Sequence, residues 1–327
     1  MDNLKKVGLS ALAGSLVAFS AQAGELSVSG GAKMTYTADT GNEDVAHDGT
    51  RFGLQKSVSM KGSGELDNGH TVSWAQVIAT TGSLTSTVLT YDMGDMGKLT
   101  YQEDSGDVGI GKIDDLMPTA EEEVTNGIDT EAASNEALVG IVDSGTSGFN
   151  YTYTMDMATI NVGYSPNTFG SNNDDGANSG AGGNKSSTSI AVQATPMDGL
   201  SVFVGTGDKG TATQEDDHDT YGFTYAFGPL TFGYQHSEID FAATGSNDLE
   251  TDAFGIVFAV NDNLSISYGE RDTEAEGSSN DQEVEGMSVG YSMGGISIAA
   301  HSNEATNIAN QTDNVSEHTE ISVSFAF

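Results

Sequence analysis

The stretch Glu320-Ile321-Ser322-Val323-Ser324-Phe325-Ala326-Phe327 decides the fold. Ile321, Val323, Phe325 and Phe327 share one face, and Glu320, Ser322, Ser324 and Ala326 share the other. Such period-two alternation reads as a β-strand with one apolar side. Working back along the chain, it recurs at Tyr221/Phe223/Tyr225/Phe227, Leu230/Phe232/Tyr234 and Leu264/Ile266/Tyr268. It recurs again at Met287/Val289/Tyr291/Met293 and Ile296/Ile298/Ala300, and the faces opposite are mostly Ser, Thr, Gly, Ala and Gln. A soluble sandwich alternates too, so the connections must discriminate. Short turns lie at Asp67-Asn68-Gly69, 92–97, 155–158, 196–199, Gly228-Pro229, 261–263 and 293–295. Longer polar connections lie near 38–50, 104–148, 166–185, 207–218, 240–249, 272–282 and 304–316, with a short one near 81–83. The two classes alternate, which is the pattern of an outer-membrane barrel with tight periplasmic turns and long outer loops.

The expected strands are 25–37, 51–66, 70–80, 84–92, 98–103, 149–155, 158–165, 186–195, 199–206, 219–227, 230–238, 250–260, 263–271, 283–293, 295–303 and 317–327. Sixteen is even, so both ends fall on the periplasmic side. Ala137–Asp143 also alternates but would break the sorting of turns, and is placed inside the 104–148 connection. The predicted fold class is therefore all-β, a 16-stranded antiparallel transmembrane β-barrel. Residues 1–23 read as a signal peptide: Lys5 and Lys6, an apolar run Val7–Phe19, then Ala21-Gln22-Ala23 as a small-x-small cleavage site. Residues 24–327 form the barrel.

Composition narrows the function. The 327 residues carry 48 acids against 11 bases, a net charge of −37, and no Cys. Zero Cys excludes disulfide scaffolds, Cys-ligated zinc and thiol catalysis. The charge excludes sequence-independent nucleic-acid binding, which needs Lys and Arg against phosphate. Abundant Gly (42) with scarce Pro (4) suits tight turns between strands.

Certain residues carry a resemblance. Gly53-Leu54 followed by Met60-Lys61-Gly62-Ser63-Gly64-Glu65-Leu66-Asp67-Asn68-Gly69 resembles the second and third strands of general Gram-negative porins. Thr87-Val88-Leu89 through Met96-Gly97-Lys98-Leu99-Thr100-Tyr101 resembles the next porin hairpin. Phe327 on its alternating strand is similar to the signal read by the outer-membrane assembly machinery. The resemblance implies a homotrimeric barrel in the outer membrane whose long third loop, here 104–148, folds inward and narrows the pore. Two features depart from the family. The Pro-Glu-Phe-Gly-Gly-type loop tip is absent, and only Arg51 and Arg271 remain where an arginine cluster is usual. Lys56 also falls in phase with Phe52, Leu54, Val58 and Met60, where a lipid-facing Lys costs about 2–4 kcal/mol. A bulge or a subunit interface would relieve it.

Other chemistries are weighed and set aside. Gly106–Lys112 nearly matches a phosphate-binding loop, but Ile113 stands where Ser or Thr would hold magnesium. A glycine hinge into the loop is the simpler reading. His47 and His218 fall in loops, His70 beside a turn, and His236, His301 and His318 near outer strand ends. Catalysis would need one paired with Asp or Ser, and such pairs arise by chance in a chain this rich in both. Acidic clusters at Glu215-Asp216-Asp217 with Asp219, Asn172-Asn173-Asp174-Asp175, and Asp272/Glu274/Glu276 with Asp281/Glu283/Glu285 are expected on outer loops. There they suit weakly bound Ca²⁺ or Mg²⁺; no other metal or cofactor is implied.

The functional expectation is a non-enzymatic channel passing small hydrophilic solutes and ions across outer-membrane lipid. Segment 104–148 holds eleven acids against Lys112 alone. Asp107, Asp114, Asp115, Glu121, Glu122 and Glu123 are the expected acidic lip, and Lys33, Arg51, Lys61 and Lys98 the sparse basic wall opposite. Such an excess concentrates cations. The rival reading is a non-transporting acidic surface protein, an adhesin or calcium-binding coat component. It calls for a solid interior with large apolar residues on both strand faces.

Overall fold

The computed structural model describes residues 26–41, 49–82, 84–103, 108–128, 147–166, 185–210 and 214–327. The expected signal peptide, Asp104, Asp107, Ala137–Asp143, Asn172–Asp175 and His47 lie outside the described residues. Sixteen strands run β1 (Ser27–Gly41), β2 (Gly49–Glu65), β3 (Thr71–Ile78), β4 (Leu84–Asp92), β5 (Lys98–Glu103), β6 (Gly148–Met155), β7 (Ala158–Ser165) and β8 (Ser187–Met197). The second half comprises β9 (Leu200–Gly210), β10 (Glu215–Phe227), β11 (Leu230–Asp240), β12 (Leu249–Asn261), β13 (Leu264–Ala275), β14 (Gln282–Met293), β15 (Ile296–Thr306) and β16 (Val315–Ala326). Each pairs antiparallel with its sequence neighbours, and β1 pairs with β16 to close the barrel. Closure leaves no unpaired sheet edge, as a spanning sheet in hydrocarbon requires. No α-helix occurs among the described residues.

The two faces divide as the alternation predicts. Phe52, Leu54, Phe227, Ile266, Ile321 and Phe325 are exposed, Phe52 by 79%. In a barrel this phase is the outer wall, where lipid takes the place of water. The opposite phase is buried and mostly polar: Gln76, Asn150, Ser189, Thr220, Gln235 and Thr273. Rings pair along the outer wall, as in Tyr36–Phe52 at 5.1 Å and Tyr225–Phe232 at 5.7 Å.

Several expectations need correction. The strands outrun the apolar alternation at their loop ends. Glu215-Asp216-Asp217 and Asp219 stand on β10, Asp272 and Glu274 on β13, and Glu283 and Glu285 on β14, rather than on outer loops. Only Glu276 and Asp281 of those clusters lie between strands. His218 is likewise buried on β10, not placed in a loop. The reason is that ladder hydrogen bonds join backbones and continue where side chains turn acidic, although acids are poor strand formers. No bulge turns Lys56 inward, because the β1–β2 register runs unbroken past Ala32↔Lys56. Residues 109–113 are not a free hinge: they form a 3₁₀ turn with Ile110 and Ile113 buried.

The strand extensions align carboxylates across the outer face. Direct cross-strand partners run Asp219↔Glu238↔Glu250↔Glu274, and Asp252↔Asp272↔Glu283. A third row runs Glu270↔Glu285↔Glu304↔Glu317. Like charges so placed repel by roughly 0.2–1 kcal/mol per pair, a cost that salt screens.

Candidate functional site

Residues 108–128 run beside the polar face of the strands. The path begins at β6, where Gly109 N–H donates to Asn150 Oδ1 at 2.8 Å, and at β8, where Ile110 N–H donates to Ser189 Oγ at 3.1 Å. Ile110 and Ile113 pack on Ala191 and Phe203. On β11, Gln235 Nε2 donates to the carbonyls of Ile113 at 3.0 Å and Asp114 at 2.7 Å, while its Oε1 accepts from Leu116 N–H at 3.2 Å. Ala120 N–H donates to Ser267 Oγ of β13 at 3.0 Å. Asn303 of β15 donates to the carbonyls of Glu123 at 3.2 Å and Asn126 at 2.9 Å. Lys33 of β1 ends the path. Its Nζ lies 3.0 Å from Glu122, 3.7 Å from Glu121 and 2.8 Å from Glu320 of β16.

A row of mid-strand glycines clears this path. A Cβ at Gly205 would meet Ile110 at 2.7 Å, at Gly233 it would meet Pro118 at 2.7 Å, and at Gly255 the Pro118 carbonyl at 2.8 Å. At Gly269 it would meet Val124 at 2.8 Å, and at Gly290 it would run into the Ala120 carbonyl. Gly233↔Gly255↔Gly269 are direct partners across three strands, so the sheet offers a smooth groove there. These glycines fall within strands, which corrects the assignment of glycine mainly to turns. Their trace in the sequence is a Gly at the polar phase of each of several strands.

The carboxyls of the segment are crowded together and partly withdrawn from water. Asp115, Glu123 and Arg271 border one cavity, and Arg271 is only 2% exposed. Burial raises the Asp115 carboxyl above its usual range despite nearby Arg271, and burial likewise raises Glu121. Glu123 reaches water, yet crowding protein and then the negative Asp115 and Asp114 push its carboxyl up to about 7. Of the expected basic wall, only Lys33 reaches Glu121 and Glu122. Arg51 pairs with Asp39 of β1. Lys98 pairs with Asp92 at 2.9 Å beside the short turn 93–97. Lys61, opposite Ala75, carries no described side-chain contact with the segment. Arg271 and Glu320 enter the cluster instead, from strands far along the chain.

A family model described as Gram-negative porin matches residues 8–307. The chain belongs to that family. Solved structures share its fold at low identity. A porin refined at 1.8 Å resolution superposes with a TM-score of 0.65 at 14% identity, covering 93% of this chain and 100% of that one. OmpT of Vibrio cholerae in trimer form gives 0.66 at 14%, and an anion-selective porin from Comamonas acidovorans 0.65 at 14%, each with the same coverage. Identity this low speaks to fold alone. Among curated proteins none matches the chain. This porin is thus an outer-membrane, non-enzymatic channel protein.

Proposed function

We propose that this porin conducts small hydrophilic solutes passively as a homotrimer, prefers cations, and uses the acidic segment 108–128 to narrow its lumen. The observation that carries the reading is the charge along that segment. Asp114, Asp115 and Glu121–Glu123 gather five carboxyls within one short stretch, with Lys33 close to Glu121 and Glu122 and Arg271 bordering the cavity of Asp115 and Glu123. Low-dielectric walls focus such a field. A porin described as anion-selective shares this fold, so the fold by itself does not impose a cation preference and the sign is left to the side chains. Conduction of this kind needs no cofactor. The polar inward phase favours a water-filled channel over a solid acidic coat or adhesin.

The test is the zero-current potential of single channels in a KCl gradient. Cation-side reversal is expected, moving toward zero when Asp114, Asp115 and Glu121–Glu123 become Asn and Gln. Lys33→Gln should move it further to the cation side. Anion-side reversal in the unmodified channel would overturn the proposal, and an unmoved potential in the neutralised variant would take the segment out of the constriction.

A further inference from the structure

The outer wall of β11 and β12 carries a second arrangement, apart from the lumen. His236 and Glu238 alternate with inward Gln235 and Ser237, so they share the outward face with Tyr234. The register sets His236 directly opposite Asp252, and Glu238 directly opposite Glu250. Direct partners on one face hold their Cβ atoms about 4.5–5.5 Å apart, so four polar side chains converge. His236 Nε2 lies 3.2 Å from Glu238 Oε1 and 3.6 Å from Glu250 Oε1. His236 Nδ1 lies 2.9 Å from Asp252 Oδ1, which also accepts the Tyr234 hydroxyl. The Tyr221 ring covers the imidazole at 5.0 Å between centroids, and His236 is only 7% exposed.

We propose that His236 Nε2, Glu238 and Glu250 bind a divalent transition-metal ion of the zinc type on the outer wall. Geometry is the first reason. A tetrahedral ion with bonds of about 2.0–2.2 Å holds its ligands roughly 3.3–3.6 Å apart, and the measured separations are 3.2 and 3.6 Å. All three donor atoms fall within 4.8 Å of one another. The second reason is orientation. A carboxylate on Nδ1 fixes the tautomer that leaves Nε2 free to ligate, the usual support behind a metal-bound histidine. Asp252 occupies that place, itself anchored by Tyr234. The third is chemistry. One imidazole with two carboxylates selects a borderline ion over Ca²⁺ or Mg²⁺, which favour all-oxygen shells. A dication would also relieve the direct Glu238–Glu250 opposition. Three protein ligands leave a fourth position, facing outward, for water. The competing occupant is a proton on Nε2, which would make the cluster an ordinary imidazolium–carboxylate pairing.

The test is Zn²⁺ titration of the full chain refolded in detergent, with Ca²⁺ in large excess. One zinc per chain is expected, with one imidazole nitrogen in its X-ray absorption spectrum. His236→Gln and Glu250→Gln should each weaken binding at least tenfold, and Asp252→Asn should weaken it by about tenfold through orientation alone. Glu250 is exposed, so its variant tests the site even should the His236 variant fold poorly. Zinc displaced by Ca²⁺, zinc without imidazole ligation, binding that Glu250→Gln leaves unchanged, or no uptake would each overturn the proposal.

Discussion

Glu123 is caught between opposing influences: burial first, then the negative Asp115 and Asp114, hold its proton on, while Arg271 favours its release. The first wins, so the group titrates at about 7 where an unperturbed glutamate titrates at 4.5. The folded chain keeps a proton that the unfolded chain loses. Folding therefore loses stability as pH rises from about 4.5 to about 7, with no further loss above. The channel gains a negative charge over the upper part of that range. Cation preference should climb between pH 5.5 and about 8.5, read as zero-current potential against pH, and Glu123→Gln should flatten the climb. A wild-type profile as flat as the variant's would remove Glu123 from the ion path. The run Glu121-Glu122-Glu123 was legible as a charge cluster in the sequence, and Lys33 as an inward base. Arg271 and Glu320 were not tied to it, because strand phase shows which face a side chain takes but not which loop will lie against it.

Gly109 decides where the acidic segment can begin. Its φ is +54°, and a Cβ there would stand 2.0 Å from Ser189 Oγ and 2.9 Å from the Gly163 amide nitrogen. Left-handed backbone costs an L-residue about 1–2 kcal/mol, and the clash adds to it. Gly109→Ala should lower the thermal midpoint and lift the segment off β7 and β8, giving a larger single-channel conductance. Gly277 provides the control, with a φ of +76° and open space around it. Gly277→Ala should leave conductance unchanged, and equal conductance in all three proteins would mean that the seat of Gly109 does not position the segment. At this scale the strands were nearly all legible, because alternation such as Ile321/Val323/Phe325 survives without any tertiary knowledge. The strand ends were not. Asp272 and Glu283 pair across β13 and β14 through their backbones, and nothing apolar in their side chains announces it.

The whole molecule closes at Gly30 and Phe327, whose backbones exchange hydrogen bonds of 2.7 and 3.0 Å. The Phe327 side chain is 79% exposed, so it contributes little packing within the chain. Phe327→Ala keeps both backbone bonds. In cells it should nonetheless lower the amount of assembled outer-membrane protein severalfold, while the protein refolded in detergent keeps a near wild-type thermal midpoint. Wild-type levels in the membrane would mean that the terminal ring is not read during assembly. The global charge was legible as a sum of −37, but its placement depended on register, which a single sequence does not display. That placement governs depth. From β11 to β16 the outer wall passes from Tyr234, Phe254, Tyr268 and Ile321 to carboxylates aligned across neighbouring strands. Sinking by two residues, about 6–7 Å along a strand, would drag a whole row into hydrocarbon at once. On β1 and β2, at the same end, the tilted ring pair of Tyr36 and Phe52 stands with no acid on the outward face of either strand. Among the described strands the barrel carries this draught mark along β11 to β16, and β1 and β2 set no such limit on how high the bilayer rides.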